Sequence, residues 1–102
     1  MNIIVLRQVR EFVDSLDMPL RSDVEGLIDL LKQYGHALSM PFAKPIGSGL
    51  WELRQTGRPQ IRILYGFHRG EAVLVLALKK QRSALRTQEI ILARQRFKTY
   101  CS

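Results

Sequence analysis

Apolar residues recur on two different periods along the chain, and the change of period divides it. Val9, Phe12, Val13 and Leu16 fall at i, i+3, i+4 and i+7, which lays one apolar stripe along a helix beginning near Arg7. Asp17-Met18-Pro19 ends that helix, because proline has no N–H to donate and clashes with the preceding turn. Proline is accepted at the first turn of a following helix, whose stripe is Val24, Leu27, Ile28, Leu31 and Tyr34, with Gly35 as a left-handed cap. Two striped helices on so short a linker predict an antiparallel helical hairpin. From His36 to Gly49 no period holds, and Pro41, Pro45, Gly47 and Gly49 predict an irregular connection.

The period then shortens to two. Leu50–Arg54, Gln60–Phe67 and Ala72–Lys80 read as strands, separated at hairpin distances by Gly57-Arg58-Pro59 and Arg69-Gly70-Glu71. In the middle strand Ile61, Ile63 and Tyr65 alternate with Gln60, Arg62 and Leu64, so Arg62 faces away from the side that packs the helices. The third is almost entirely apolar, as a strand covered on both faces should be. After a polar segment, Thr87 is an expected N-cap and Glu89 lies near the positive end of a helix dipole. Ile90, Ala93, Phe97 and Tyr100 give that last helix a partial apolar face. The predicted class is α+β: an N-terminal helical hairpin on a small antiparallel sheet of three to four strands, with a C-terminal helix. At 102 residues this is one domain, 1–102.

Charge sharpens the picture. The formal net charge is +7, yet Met1 to Asp29 holds six acidic residues against Arg7, Arg10 and Arg21, while the remainder holds thirteen cations against Glu52, Glu71 and Glu89. An acidic helical part therefore precedes a basic sheet part, which favours an anionic partner for the sheet. Cys101 is the only cysteine, so no intrachain disulfide and no thiolate metal site can form, and a reducing cytoplasm is expected. No run approaches the roughly 18 apolar residues of a membrane span. His36 and His68 lack ligand spacing around them and read as structural, and Gly47-Ser48-Gly49 precedes a strand, unlike a phosphate-cradling loop, and reads as a turn. No metal and no cofactor are expected.

The candidate chemistry lies in the cations of the strands. Arg54, Arg62 and the pair Lys79-Lys80 arrive on three consecutive strands, where a sheet can gather them on its open face, whereas Arg58, Arg69 and Arg82 read as solvated edge charges. Holding like charges together costs stability unless an anion binds, so the cluster points to phosphate. Adjacent strand residues point oppositely, and which of Lys79 and Lys80 joins the cluster depends on register. Trp51 and Tyr65 share parity with core positions and read as core.

The order of helix, helix, Gly-Leu-Trp-Glu-Leu-Arg, Ile-Arg-Ile-Leu-Tyr, an apolar strand ending Lys-Lys, and a last helix resembles the RelE/ParE superfamily of bacterial toxins, and within it the phage-related HigB-like branch. The resemblance implies a RelE-like fold and a type II toxin that cleaves messenger RNA on the ribosome, held in check by a cognate antitoxin, a helix-turn-helix, HigA-like protein. It places the family's basic sheet residues on Arg54, Arg62, Lys79 and Lys80, and its C-terminal functional aromatic on Tyr100. Metal-independent cleavage, in which the RNA 2′-hydroxyl attacks the adjacent phosphate, needs preorganised cations around the phosphoryl oxygens, which these residues can supply. The alternatives on the same fold are a ParE-like DNA gyrase poison and a non-catalytic nucleic-acid-binding protein.

Overall fold

A computed structural model describes all 102 residues. The chain runs β1 (Asn2–Val5), α1 (Arg7–Asp14), α2 (Leu20–Tyr34), a short 3-10 turn (Gly35–Ala37), β2 (Ala43–Gly47), β3 (Leu50–Gln55), β4 (Gln60–His68), β5 (Glu71–Lys80) and α3 (Thr87–Cys101). The sheet has five strands in the order β1-β5-β4-β3-β2. It is mixed, because β1 pairs parallel with β5 while every other pairing is antiparallel.

The expected meander of three strands is present as β3, β4 and β5. The two additional strands correct the expected count of three to four and its wholly antiparallel character. β1 is a four-residue strand whose apolar run carries no alternation, and β2 holds Pro45 at the sheet edge, where its missing N–H is tolerated. β1 draws its hydrogen bonds from β5, far along the chain, and β2, though it pairs with the next strand, is interrupted by Pro45 and a register shift, so neither is visible as a local period.

The helices cover opposite faces. α1 packs on β5 and α2 on β3, and their buried Val9, Val13, Val24, Leu27, Ile28 and Leu31 meet Leu53, Ile61, Ile63, Tyr65, Leu74 and Ala77 in the larger core. The two helices lie side by side on separate strands, more firmly attached to the sheet than to each other, and Arg10 bridges them by donating to Glu25 at 2.8 Å. On the other face α3 packs on β4 and β5, where Ala93 and Phe97 join Leu50, Leu64, Val73, Val75 and Leu76. The C-terminal helix thus closes most of the face expected to be open. Gly66 makes this possible: a Cβ there would stand 2.7 Å from the Phe97 ring.

Two helix ends differ from expectation. Thr87 is the first helical residue of α3 rather than its cap, and Glu89 secures the start by accepting a 2.7 Å hydrogen bond from the backbone N–H of Arg86. Gly35 follows α2 with φ of 53° but an extended ψ of −125°, and a Cβ there would press within 3.1 Å of Met1.

The β4–β5 register slips by one residue between Leu64 and Tyr65, a bulge that places Val75 between the partners Leu74 and Leu76. It reverses the parity of the rest of β5. Before it Ala72 and Leu74 face the hairpin side; beyond it Ala77 does, while Leu76 and Leu78 face α3.

Candidate functional site

The bulge decides which lysine meets the arginines. Past it, Leu78 is the partner of Arg62 and Lys80 the partner of Gln60, so Lys80 shares the face of Arg62, whereas Lys79 is opposite Ile61 and has the other parity. Arg54 is directly opposite Arg62 across β3 and β4. Three consecutive strands therefore deliver Arg54, Arg62 and Lys80 to one end of one face, as the sequence pattern anticipated.

Beneath them lies a residue that the expected site omits. Glu52 is 2 % exposed, and one of its carboxylate oxygens stands 3.5 Å from Arg54 Nε and 3.7 Å from Arg62 Nε. Its position two residues before Arg54 gives it the same parity, which was the available clue. A buried carboxylate holding two guanidinium groups lowers the cost of bringing like charges together and fixes both.

Arg62 differs from expectation. It does not project from an open face; it is 2 % exposed and its donors are largely spent inside the protein. Nη1 donates to the carbonyls of Gln55 and Ile61 at 3.0 Å each, and Nη2 to Gln60 Oε1 at 3.1 Å. Burial lowers its pKa from the usual value, Glu52 opposes that, and Arg54 adds to it; an arginine nevertheless stays charged at neutral pH. Arg62 is the floor of the site. Arg54 is more accessible, with its side chain 19 % exposed and Nη1 resting 3.0 Å from Met40 Sδ.

Over this floor opens a cleft of about 770 Å³ lined by eleven residues, none of them acidic and only Pro59 apolar. Six are cations: Arg54, Arg58, Arg62, Lys79, Lys80 and Arg82. Arg58 and Arg82, expected to be solvated edge charges, are exposed but belong to the rim of this cleft, because the β3–β4 turn and the segment after β5 meet at the same end of the sheet. The pKa of Lys80 is lowered, first by desolvation and then by Arg62, Arg54 and Lys44, against the opposing pull of Glu52. Its proton is easier to remove than that of an isolated lysine.

Tyr100 is not brought to this cluster. Its hydroxyl donates to Glu71 at 3.2 Å, at the opposite end of β5 from Lys80, about 30 Å away along the strand at the usual rise per residue. α3 starts near the cleft and runs away from it, so a residue in its last turn ends at the far rim. Its ring meets His68 edge-on. Trp51 and Tyr65 lie on the hairpin side as expected, stacked at a centroid distance of 6.5 Å.

A family model described as Phage derived protein Gp49-like (DUF891) matches residues 11–98, which is most of the chain and includes every strand residue of the cleft. The chain belongs to the Gp49-like family of phage-derived proteins. This is a RelE/HigB-like toxin family of type II toxin-antitoxin systems. No curated protein matches the chain. In this Gp49-like protein no helix is long and apolar enough to cross a membrane.

Proposed function

We propose that the protein is the toxin of a type II pair and an endoribonuclease that cuts messenger RNA on the ribosome. The observation that carries this reading is the cleft with six cations and no acid, since such a surface suits the ribose-phosphate backbone. A scissile phosphate seated there meets Arg54 and Lys80, with the charge of Arg62 beneath it. As the 2′-oxygen attacks the adjacent phosphorus and the bond to the 5′-oxygen breaks, giving a 2′,3′-cyclic phosphate and a 5′-hydroxyl protonated from water, negative charge grows on the phosphoryl oxygens, and the arginines held in place by Glu52 stabilise it without reorganising. Lys80, with its lowered pKa, is suited to take the 2′-hydroxyl proton. Lys79, Arg58 and Arg82 guide the strand from the rim.

No histidine lines the cleft, so proton transfer rests on a lysine that is mostly charged at neutral pH, and much of the rate must come from positioning, which a ribosome supplies. A cognate antitoxin with a helix-turn-helix domain is the proposed partner. The test is induced expression with genome-wide mapping of RNA 5′ ends, scoring gyrase-linked DNA breaks in parallel. Translation-dependent RNA ends that vanish in Lys80→Ala are expected; DNA breaks without new RNA ends would replace the nuclease with a gyrase poison.

A further inference from the structure

A second depression, of about 380 Å³, adjoins the cationic cleft, and Arg54 and Thr56 line both. Its chemistry is different. It lies between the first half of α2 and the segment preceding β2, with Phe42, Gly26, Asp23 and Gln55 among its walls. Phe42 is left 44 % exposed, and an aromatic ring open to solvent beside a phosphate site is a stacking platform for an unpaired base. Asp23 repels phosphate and so keeps the backbone on the Arg54 side, while its carboxylate can accept a hydrogen bond from an exocyclic amino group.

Gly26 gives an independent reason to regard the depression as built. It sits in the interior of α2, where glycine weakens a helix relative to alanine. A Cβ at this position would meet nothing within 4 Å, and its φ is not one that requires glycine. Neither packing nor backbone conformation asks for the missing side chain. Its absence keeps the groove open.

We propose that this groove is a base-binding subsite for single-stranded RNA: with a phosphate on Arg54, the adjoining base stacks on Phe42 and turns its amino group towards Asp23. Adenine, cytosine and guanine are then favoured over uracil. The proposal rests on the reading of the cleft as an RNA phosphate site, and the experiment separates the two.

Fluorescence anisotropy at low salt compares labelled oligo(A), oligo(U) and an abasic ribose-phosphate strand of equal length on the wild type, Gly26→Leu, Phe42→Ala and Asp23→Asn. Wild type should bind oligo(A) about tenfold more tightly than the abasic strand, within the range for one stacked base, and more tightly than oligo(U). Gly26→Leu and Phe42→Ala should each reduce the oligo(A)-to-abasic ratio about tenfold, and Asp23→Asn should erase the preference for oligo(A) over oligo(U). Leucine is the better helix former and has free space at its Cβ, so Gly26→Leu should melt no lower than wild type; Phe42→Ala, at an exposed position, gives the same reading without filling the groove. Equal binding of oligo(A) and the abasic strand by wild type, or a ratio unchanged in both variants, overturns the subsite and leaves the phosphate cleft standing. Failure of all three strands to bind overturns both. A Gly26→Leu protein that binds RNA like wild type but no longer forms its antitoxin complex assigns the groove to that protein and overturns the proposal.

Discussion

Arg62 and Lys80 occupy the same face of the sheet, yet they bear on different properties of the molecule. Arg62 is buried against Glu52 and three acceptors, so Arg62→Ala leaves a buried carboxylate with Arg54 alone and removes the hydrogen bonds it gives the carbonyls of Gln55 and Ile61. The expected loss is about 3 kcal/mol, the lower end for breaking a buried pair, because one cation remains; thermal denaturation should show a fall on the order of 10 °C or more. Lys80 is only partly buried among like charges. Lys80→Ala should therefore melt at or slightly above wild type while RNA cleavage falls about 100-fold or more, the scale of removing one preorganised stabilising group. A destabilised Lys80→Ala, or one that cleaves at the wild-type rate, would contradict the assignment.

The lowered pKa of Lys80 also fixes the sign of a pH effect. Its folded value lies below the ordinary 10.5, so between the two values the unfolded chain binds more protons and stability rises with pH. Wild type should gain stability relative to Lys80→Ala as pH climbs from the folded pKa towards 10.5, as melting curves of the two proteins in that window can establish. With Lys80 as the proposed base, RNA cleavage should rise from neutral pH towards its folded pKa and level off above it.

At the scale of the elements, the site depends on how β4 and β5 meet the helices. The bulge at Val75 turns Lys80 to the cleft face, and α3 must lie close on the sheet for its first turn to stand beside the cleft. Gly66 sets that distance, since a Cβ would collide with Phe97 at 2.7 Å. Gly66→Ala is expected to cost about 1–3 kcal/mol as overpacking and to displace α3 from β4. Hydrogen exchange should show reduced protection concentrated in Thr87–Cys101, with the hairpin-side core around Leu53 and Ile63 little changed; uniform loss of protection would mean that α3 and the sheet do not separate in this way.

Across the whole molecule, charge is divided between an acidic helical layer and a basic sheet end. The six cations of the cleft set an upper bound on the phosphates neutralised, which corresponds to a slope of about −4 in log K against log salt for a single strand. Titration of RNA binding from low to physiological salt should give a steep negative slope that becomes shallower by about one phosphate's worth in Arg58→Ala and in Arg82→Ala. Affinity indifferent to salt would point instead to a protein surface as the target.

The division between what was legible and what was not follows from the range of the forces involved. Periodicity alone determined α1, α2, β3, β4, β5 and α3, because an element that buries one face must repeat its apolar residues locally. Parity alone placed Arg54 and Arg62 together and Trp51 and Tyr65 in the core. β1 was not legible because it exists by pairing with β5, far along the chain, and β2 because Pro45 and a register shift break its alternation. Nor was the choice of Lys80 over Lys79: one bulged residue reverses every side chain beyond it. The burial of Arg62 on Glu52 and the recruitment of Arg58 and Arg82 to the rim likewise depend on where turns meet in space. So does the distance of Tyr100, which is set by the direction in which α3 crosses the sheet. Local pattern fixes which way a side chain can point; only packing decides what it points at.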